Sequence, residues 1–213
     1  MWHLKGAEEC LHMFTTIFFS FSSALPQSGV SGVSVDLTSS LSRSSYGSRL
    51  IANKAQALSA LKSLGASSQE IAIIFGVAMT ETNHFSAVEA LAQQATNIKS
   101  GLATNYGFLN LNKDAITSVN PSTDLSSLNV DSPSAMHSSL QIAHQLIAAH
   151  GINGFLDFSR GGSQGLDTSG KQPDCPFDCQ GYRNNVAARA NLILADPTLL
   201  TNDIRIESFV EPK

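Results

Sequence analysis

Charged residues are scarce in this chain, and basic residues are not in excess. Only 14% of its 213 residues are charged, and the formal net charge is −4. Intrinsic disorder requires more charge and fewer apolar residues, so we expect a folded protein. The acidic balance argues against nucleic-acid binding, because no excess of Lys and Arg is present to contact phosphates. The length is sufficient for one domain with a proper core.

Long apolar runs are also missing, except for one near the N-terminus. Residues 11–21 form a run that is too short to span a bilayer but has the length of a signal peptide. Lys5 precedes it, and small residues at 22–24 offer a cleavage site. We expect residues 1–24 to be a signal peptide, and the mature chain to be secreted, extracellular and not bound to a membrane. A buried first helix is the alternative, and Met13 is an alternative start.

Cysteine is rare, with three in the chain. Removal of the leader would leave Cys175 and Cys179, whose spacing suits a small disulfide-closed loop in an oxidising compartment. A zinc site would need more ligands nearby. His137 and His144 share a face of a predicted helix but have no evident third ligand. We therefore predict a local disulfide, no metal site and no cofactor.

Composition and periodicity divide the chain into a lead-in and one domain. Residues 25–48 are rich in Ser and Gly, which predicts a flexible lead-in, and residues 49–213 are expected to form the domain. Helical spacing predicts a helix over 49–64 that ends at Gly65. Ser67 and Glu70 then form a capping-box pattern that begins a second helix.

The second helix is apolar on nearly every side over residues 71–79, which is typical of a helix at the centre of a domain. Residues 96–112 have a loop-like composition, and a later helix is expected to end at Gly151. Residues 182–194 predict a further helix, and the partly alternating tail at 203–210 predicts a short strand. The fold class is therefore mainly α (α+β), with a buried central helix, long loops and a small β element.

Glu81 is the strongest candidate for chemistry, because it directly follows the apolar helix. Burial at that position would raise its pKa, so the side chain could hold a proton near neutral pH and donate it. Glycoside hydrolysis needs such an acid opposite a second carboxylate. The alternative is that Glu81 pairs with a nearby cation or caps a turn.

The residues around Glu81 resemble the motifs of glycoside hydrolase family 134. Glu81-Thr82-Asn83, Lys99-Ser100-Gly101 and Asn105-Tyr106-Gly107-Phe108 are similar to that family's Glu-Thr-Asn, Lys-Thr-Gly and Asn-Phe-Gly-Ile. The resemblance covers roughly residues 45–213. Its C-terminal part rests on Phe155–Leu166, Tyr182–Val186 and Thr201–Arg205.

The resemblance implies a lysozyme-like single domain that cleaves β-1,4-mannan internally with inversion at the anomeric carbon. It makes Glu81 the general acid and places the base at Asn97, where the family has Asp. An amide cannot accept a proton at neutral pH. Glu89 and Asp157 are possible substitutes, although we expect Glu89 on a solvated helix face and Asp157 in a loop or cap. Asp114 is expected to cap the helix after Lys113.

The same match predicts the residues that line a sugar-binding cleft. Amides and cationic side chains suit hydroxyl-rich ligands, which need several donors and acceptors. Tyr106 could stack on a sugar face, whereas Phe108 is expected in the core. Arg160 could instead be a structural ion-pair partner. The cleft-lining candidates are Lys99, Asn105, Asn112 and Arg160.

Three functions remain open from the sequence. The first is a secreted glycoside hydrolase that acts on mannan or a related polysaccharide by metal-free acid/base chemistry. The second, favoured by Asn97, is a catalytically impaired homologue that binds polysaccharide or a host or cell-wall partner. The third is a lytic enzyme of peptidoglycan or chitin, which follows from fold type alone. The expected partner is a mannan-like polysaccharide, and the expected state is a monomer.

Overall fold

The structure is a computed structural model that describes residues 41–97, 105–162 and 179–207. All of them lie in one compact unit, Asp36–Lys213. Helices dominate, as the sequence predicts, and the strands form two small antiparallel pairs. The helices are α1 (Gly47–Ser63), α2 (Ser68–Glu81), α3 (Ala87–Asn97), α4 (Lys113–Val119), α5 (Pro133–Gly161) and α6 (Cys179–Ala195). The strands are β1 (Arg43–Ser45), β2 (Asn105–Tyr106), β3 (Leu111–Asn112) and β4 (Ile204–Ile206), and 3₁₀ turns span Leu125–Leu128 and Pro197–Leu200.

Helix α2 forms the centre of the domain, which confirms the prediction from its apolar composition. Every residue from Ile71 to Met79 is buried. The helix packs along α6 and also contacts α5. At Gly76 the two helices approach so closely that a Cβ atom would lie 2.9 Å from the backbone oxygen of Val186. The absence of a side chain at this position allows α6 to lie against the helix that ends at Glu81.

The ends of α1 and α2 follow the predicted signals. Gly65 has a φ of +77° directly after α1, a conformation that glycine adopts without strain. Ser67 Oγ accepts from the backbone N–H of Glu70, and the Glu70 carboxylate accepts from that of Ser67. This reciprocal pair is the predicted capping box. It fixes where α2 begins.

The predicted lead-in, residues 25–48, was wrong at its C-terminal end. Strand β1 lies within it and pairs antiparallel with β4, Arg43 opposite Ile206. The predicted strand in the tail is thus confirmed, and its partner lies about 160 residues earlier in the chain. Lys54 of α1 reinforces this connection, because its Nζ donates to carbonyl oxygens near β4. The acceptors are Leu199 O at 2.6 Å, Asn202 O at 3.0 Å and Ile204 O at 2.6 Å.

Gly151 interrupts the helix that begins at Pro133, as predicted, but the helical segment that follows it was not predicted. Gly151 has a φ of +70°, which breaks the helix, but a second helical segment continues directly to Gly161. Phe155, Leu156 and Phe158 of that segment are buried. Their packing against the core explains why the chain resumes a helix after the break.

The segment 96–112 is not all loop. Helix α3 extends to Asn97, and β2 and β3 form a short hairpin with Asn105 opposite Asn112. Strands of two residues are too short to show an alternating pattern, so no periodicity could have predicted them. Asn110, in the turn, has a φ of +53°, which asparagine tolerates better than most residues. The hairpin brings this turn beside the C-terminal end of α2.

Candidate functional site

Glu81 is the last residue of α2, and the chain leaves the helix at Thr82, whose backbone is extended. Burial raises the pKa of the Glu81 carboxyl above its ordinary value. The C-terminal end of a helix carries partial negative charge, which acts in the same direction by disfavouring a carboxylate. Arg205 of β4 holds this end in place, since its Nε donates to the Thr82 carbonyl at 2.9 Å. The predicted acid is therefore half-buried, at a fixed helix end, with a raised pKa.

Asn110 contacts the acid directly. Its Nδ2 donates to Oε2 of Glu81 at 2.7 Å, across 29 positions of sequence. This hydrogen bond favours the charged carboxylate and so lowers the pKa of Glu81, but by less than burial raises it. Gln94 of α3 donates in turn to Oδ1 of Asn110 at 2.6 Å. The acid is thus held by an amide whose own orientation is fixed.

Tyr182 of α6 contributes a hydroxyl that interacts with the Glu81 carboxyl and lowers its pKa. Burial raises the pKa of Tyr182 well above its ordinary value, so this hydroxyl stays protonated and can donate. The Arg160 guanidinium lies 5.4 Å from the centre of the Tyr182 ring. The charges of Arg160 and Arg189 also lower the pKa of Glu81. No acidic group of the described ranges forms an ion pair with either arginine.

The alternative of Arg160 as a structural ion-pair partner is not seen within the described ranges, and its place in a sugar-binding cleft stays a prediction. The Arg160 side chain is exposed, at the end of α5, and its charge acts on Glu81. Arg189 was not foreseen, and it is only 1% exposed. Its guanidinium donates to the carbonyl of Ile206 at 2.9 Å and to Oδ1 of Asn185 at 2.6 Å. Because these bonds fix the group, its positive charge is a permanent part of the electrostatic surroundings of Glu81.

The amides predicted to line the cleft belong to the hairpin itself, where they have structural roles. Asn105 and Asn112 face each other across β2 and β3, with Nδ2 of Asn112 donating to Oδ1 of Asn105 at 3.4 Å. Asn112 Oδ1 also accepts from the backbone N–H of Asp114 at 2.9 Å and caps α4. The prediction that Asp114 caps α4 was wrong, because the N-cap is Asn112, whose side-chain oxygen accepts from the Asp114 N–H. Tyr106 is half-buried against the core, and Phe108 is buried in it as expected.

The two carboxylates considered as substitute bases are both engaged. Glu89 was expected on a solvated face, but its Oε1 lies 2.5 Å from Nδ1 of His84 and its Oε2 accepts from the His84 N–H. Asp157 was expected in a loop or cap, but it is buried within α5, 3.3 Å from Nε of Arg183. Burial raises the pKa of Asp157, and the charge of Arg183 opposes that shift. The helical periodicity of 152–161 had not been recognised, which explains the second error.

Several predicted site residues lie outside the described residues. Lys99 and Cys175 belong to this group. Asn97 is the last residue of α3 and Cys179 the first of α6, but their side chains are not among those described. The predicted disulfide, the base position at Asn97 and the cleft-lining role of Lys99 therefore stay predictions.

Sequence reasoning missed Gln94, Asn110 and Arg189 as parts of the site, and it did not give Tyr182 a role. A signal was present for Asn110, since residues 105–112 are rich in the amides typical of turns. Gln94 and Arg189 lie on helices whose sequences carry no such mark. Their proximity to Glu81 follows only from the packing of α3 and α6 around α2.

Two cavities of the described part of the chain are lined by residues other than Glu81. One, of about 80 Å³, lies near the start of α5 and is lined by Phe85, Phe108 and Asp131 among others. The other, of about 430 Å³, lies near the end of α6 and is lined by Leu58, Ile193 and others.

Comparison of the chain with models of protein families and with curated proteins found no match. Within residues 41–97, 105–162 and 179–207, no helix combines the length and apolar character that crossing a membrane requires. Over the same ranges, no cluster of His, Cys, Asp and Glu is arranged to hold a metal ion.

Proposed function

We propose that this protein is a secreted glycoside hydrolase that cleaves β-1,4-mannan or a related polysaccharide, with Glu81 as the general acid. The observation that carries the proposal is the state of that carboxyl. Burial raises its pKa, while Asn110 and Tyr182 hold it and two arginines lie close enough to act on it electrostatically. A carboxylic acid that keeps its proton near neutral pH is what protonation of a glycosidic oxygen requires.

The architecture supports the same proposal. The acid ends a buried helix, and a short hairpin supplies an amide to its carboxyl. Both features agree with the lysozyme-like fold that the family 134 resemblance implies, and that fold is part of the proposal. Secretion through residues 1–24, action as a monomer and the absence of a cofactor complete it.

Inverting hydrolysis also needs a base roughly 6.5–9.5 Å from the acid, with a water between them. Neither Glu89 nor Asp157 suits this task, because Glu89 lies against the His84 ring and 3.6 Å from Arg49, and Asp157 lies against Arg183. The matching position in the resemblance is Asn97. An amide there can orient the water but cannot take its proton. We therefore expect slow turnover unless a carboxylate outside the described residues serves as base.

This engagement of Glu89 and Asp157 is also the observation that favours the second candidate function, a secreted protein that binds polysaccharide without cutting it. Such a protein would keep the amides and arginines that suit hydroxyl groups. It would bind manno-oligosaccharides in titration calorimetry and release no new reducing ends from mannan over long incubation.

The test is release of reducing ends from a panel of β-linked glycans that includes mannan, chitin and peptidoglycan. We expect release from mannan, and we expect Glu81→Gln to reduce it by about 10²–10⁴-fold. Glu70→Gln is the matched control, because it changes another carboxylate of α2 while Gln preserves a capping-box residue.

Three results would decide against the proposal. Release from chitin or peptidoglycan but not from mannan would assign a different substrate. No release from any glycan, with measurable binding, would establish the second candidate. Equal rates for Glu81→Gln and the wild type would remove Glu81 as the acid.

A further inference from the structure

Gln94, Asn110 and Glu81 form a continuous line of hydrogen bonds, and the proposed function has so far used only its last member. Gln94 Nε2 donates to Oδ1 of Asn110 at 2.6 Å, and Asn110 Nδ2 donates to Oε2 of Glu81 at 2.7 Å. All three side chains are partly buried. Hydrogen bonds in such surroundings are stronger than in water and depend on one another.

The direction of this line is fixed by the backbone. The carbonyl oxygen of Asn105 lies 3.1 Å from Gln94 Nε2, and a carbonyl can only accept. Gln94 must therefore present its NH₂ group here, and the same group faces Asn110. Asn110 has to respond with its oxygen, which leaves its NH₂ group for Glu81. Reversing either amide would place donor against donor or acceptor against acceptor.

The other end of the Gln94 amide does not determine this orientation. Its Oε1 is buried and has no hydrogen-bond partner among the residues described. A buried carbonyl without a partner costs free energy. The two acceptors at Nε2, Asn105 O and Asn110 Oδ1, must outweigh that cost for the observed arrangement to hold.

We propose that Gln94 is a positioning residue for Glu81: acting through Asn110, it keeps an amide donor on Oε2 and thereby stabilises the carboxylate that remains after proton transfer. The catalytic meaning of this assignment rests on the proposed function, whereas the hydrogen-bond relay itself does not.

The consequence for the proposed reaction concerns the carboxylate that Glu81 becomes. The proton of the Glu81 carboxyl passes to the glycosidic oxygen as the bond from that oxygen to the anomeric carbon breaks. Water supplies the hydroxyl group that bonds to the carbon and loses its other proton to the solvent, from which Glu81 is reprotonated, so the overall reaction is a hydrolysis. Glu81 is left as a carboxylate, and Asn110 stabilises the charge on Oε2 without competing for the departing proton.

The relay predicts a pattern of changes in the pKa of Glu81 that a general loss of structure would not produce. Without Gln94, the Asn110 amide is free to turn, donates less to Glu81 and stabilises the carboxylate less. The pKa of Glu81 should then rise. Gln94 acts only through Asn110, so its removal should have no further effect once the Asn110 amide is gone.

The experiment is titration of the Glu81 carboxyl by NMR, with ¹³C-labelled glutamate and Glu81→Gln to assign the signal. The variants are Gln94→Met, Asn110→Gly and the double variant. Glycine suits position 110 because its backbone has a φ of +53°. Gln93→Met is the matched control, since it makes the same change at the exposed neighbouring position of α3. Thermal unfolding of each variant confirms that it is folded.

We expect Gln94→Met to raise the pKa of Glu81, Asn110→Gly to raise it further, and the double variant to equal Asn110→Gly. Gln93→Met should match the wild type. Additive shifts in the double variant, or a wild-type pKa in Gln94→Met, would overturn the relay.

Kinetics separate the relay from the function on which its catalytic meaning depends. If the protein hydrolyses mannan, the basic limb of kcat/KM against pH should move upwards in the same order as the pKa of Glu81. If the pKa shifts occur but no variant or wild type releases sugar, the relay stands and the proposed function fails. A basic limb that stays in place while the pKa moves would overturn the catalytic role of Gln94.

Discussion

At the scale of single residues, the Glu81 carboxyl depends on partners from distant parts of the chain, the Asn110 amide and the Tyr182 hydroxyl. Glu81 could be identified because it follows nine consecutive buried positions, a pattern visible in composition. Asn110 is 29 positions away, and Tyr182 lies on another helix, so their proximity depends on tertiary packing. No local periodicity encodes such distances. The sequence also did not predict the contacts of Asn112, whose amide caps α4 in addition to facing Asn105.

Replacing the acid should stabilise the folded protein. Burial raises the folded-state pKa of Glu81. The unfavourable effect of this burial on stability is therefore absent below the ordinary carboxyl pKa. It grows as pH rises through the raised pKa of the folded protein, because Glu81 of the unfolded chain ionises at lower pH. A glutamine in its place cannot ionise and can still accept from Asn110. We expect Glu81→Gln to have a free energy of unfolding higher by about 1 kcal/mol near neutral pH.

Denaturant unfolding as a function of pH measures this difference. The difference in free energy of unfolding between Glu81→Gln and the wild type should shrink towards about pH 4, where the carboxyl becomes neutral in both the folded and the unfolded chain. A variant that is less stable than the wild type across the whole range would contradict a raised pKa at Glu81.

At the scale of elements, the long helices and the C-terminal strand β4 were predictable, and the other short strands were not. The capping box at Ser67 and the glycine at 65 mark helix ends chemically, and the structure confirms both. Strands β2 and β3, of two residues each, offer too few positions for an alternating pattern. Gly151 broke its helix as predicted, but the apolar residues beyond it formed another helical segment against the core.

The contact between α2 and α6 depends on Gly76. Replacing glycine by alanine within a helix ordinarily stabilises it by up to about 1 kcal/mol. Here the added Cβ would lie 2.9 Å from the backbone oxygen of Val186 and 3.2 Å from its Cγ1. A backbone atom cannot rotate away, so α6 would have to shift.

We expect Gly76→Ala to lower the free energy of unfolding by about 1–3 kcal/mol, measured by denaturant titration. Since α6 carries Tyr182, the same variant should also shift the NMR signal of the Glu81 carboxyl. Unchanged or increased stability would show that the two helices do not approach as closely as described.

At the scale of the whole molecule, the first and last strands of the described residues join early and late parts of the chain. Strand β1 pairs with β4, and Lys54 binds three carbonyl oxygens of the C-terminal segment. Burial lowers the pKa of Lys54 to about 8. A lysine that is fully buried could not be predicted from the sequence, because this residue type is almost always exposed. Its partners lie about 145–150 positions further along the chain.

Removing the Lys54 ammonium group should weaken the connection between α1 and the C-terminal segment. Lys54→Met keeps the aliphatic stem but leaves three carbonyl oxygens without their donor, and each buried acceptor without a partner costs roughly 1–3 kcal/mol. We expect a loss of about 3 kcal/mol in the free energy of unfolding. Lys62→Met, on the exposed face of the same helix, is the control and should change it by less than about 0.5 kcal/mol. Equal effects of the two variants would remove the structural role of Lys54.

The central claim is that Glu81 donates the proton that lets the sugar leave, and leaving-group chemistry tests it most directly. An aryl manno-oligoside with a nitrophenolate leaving group needs little protonation, whereas the sugar oxygen of mannan needs it fully. The decisive measurement is the rate of Glu81→Gln relative to wild type on both substrates. We predict a loss of about 10²–10⁴-fold on mannan and a much smaller loss on the aryl substrate. Equal losses on both substrates, or no loss on mannan, would contradict the assignment.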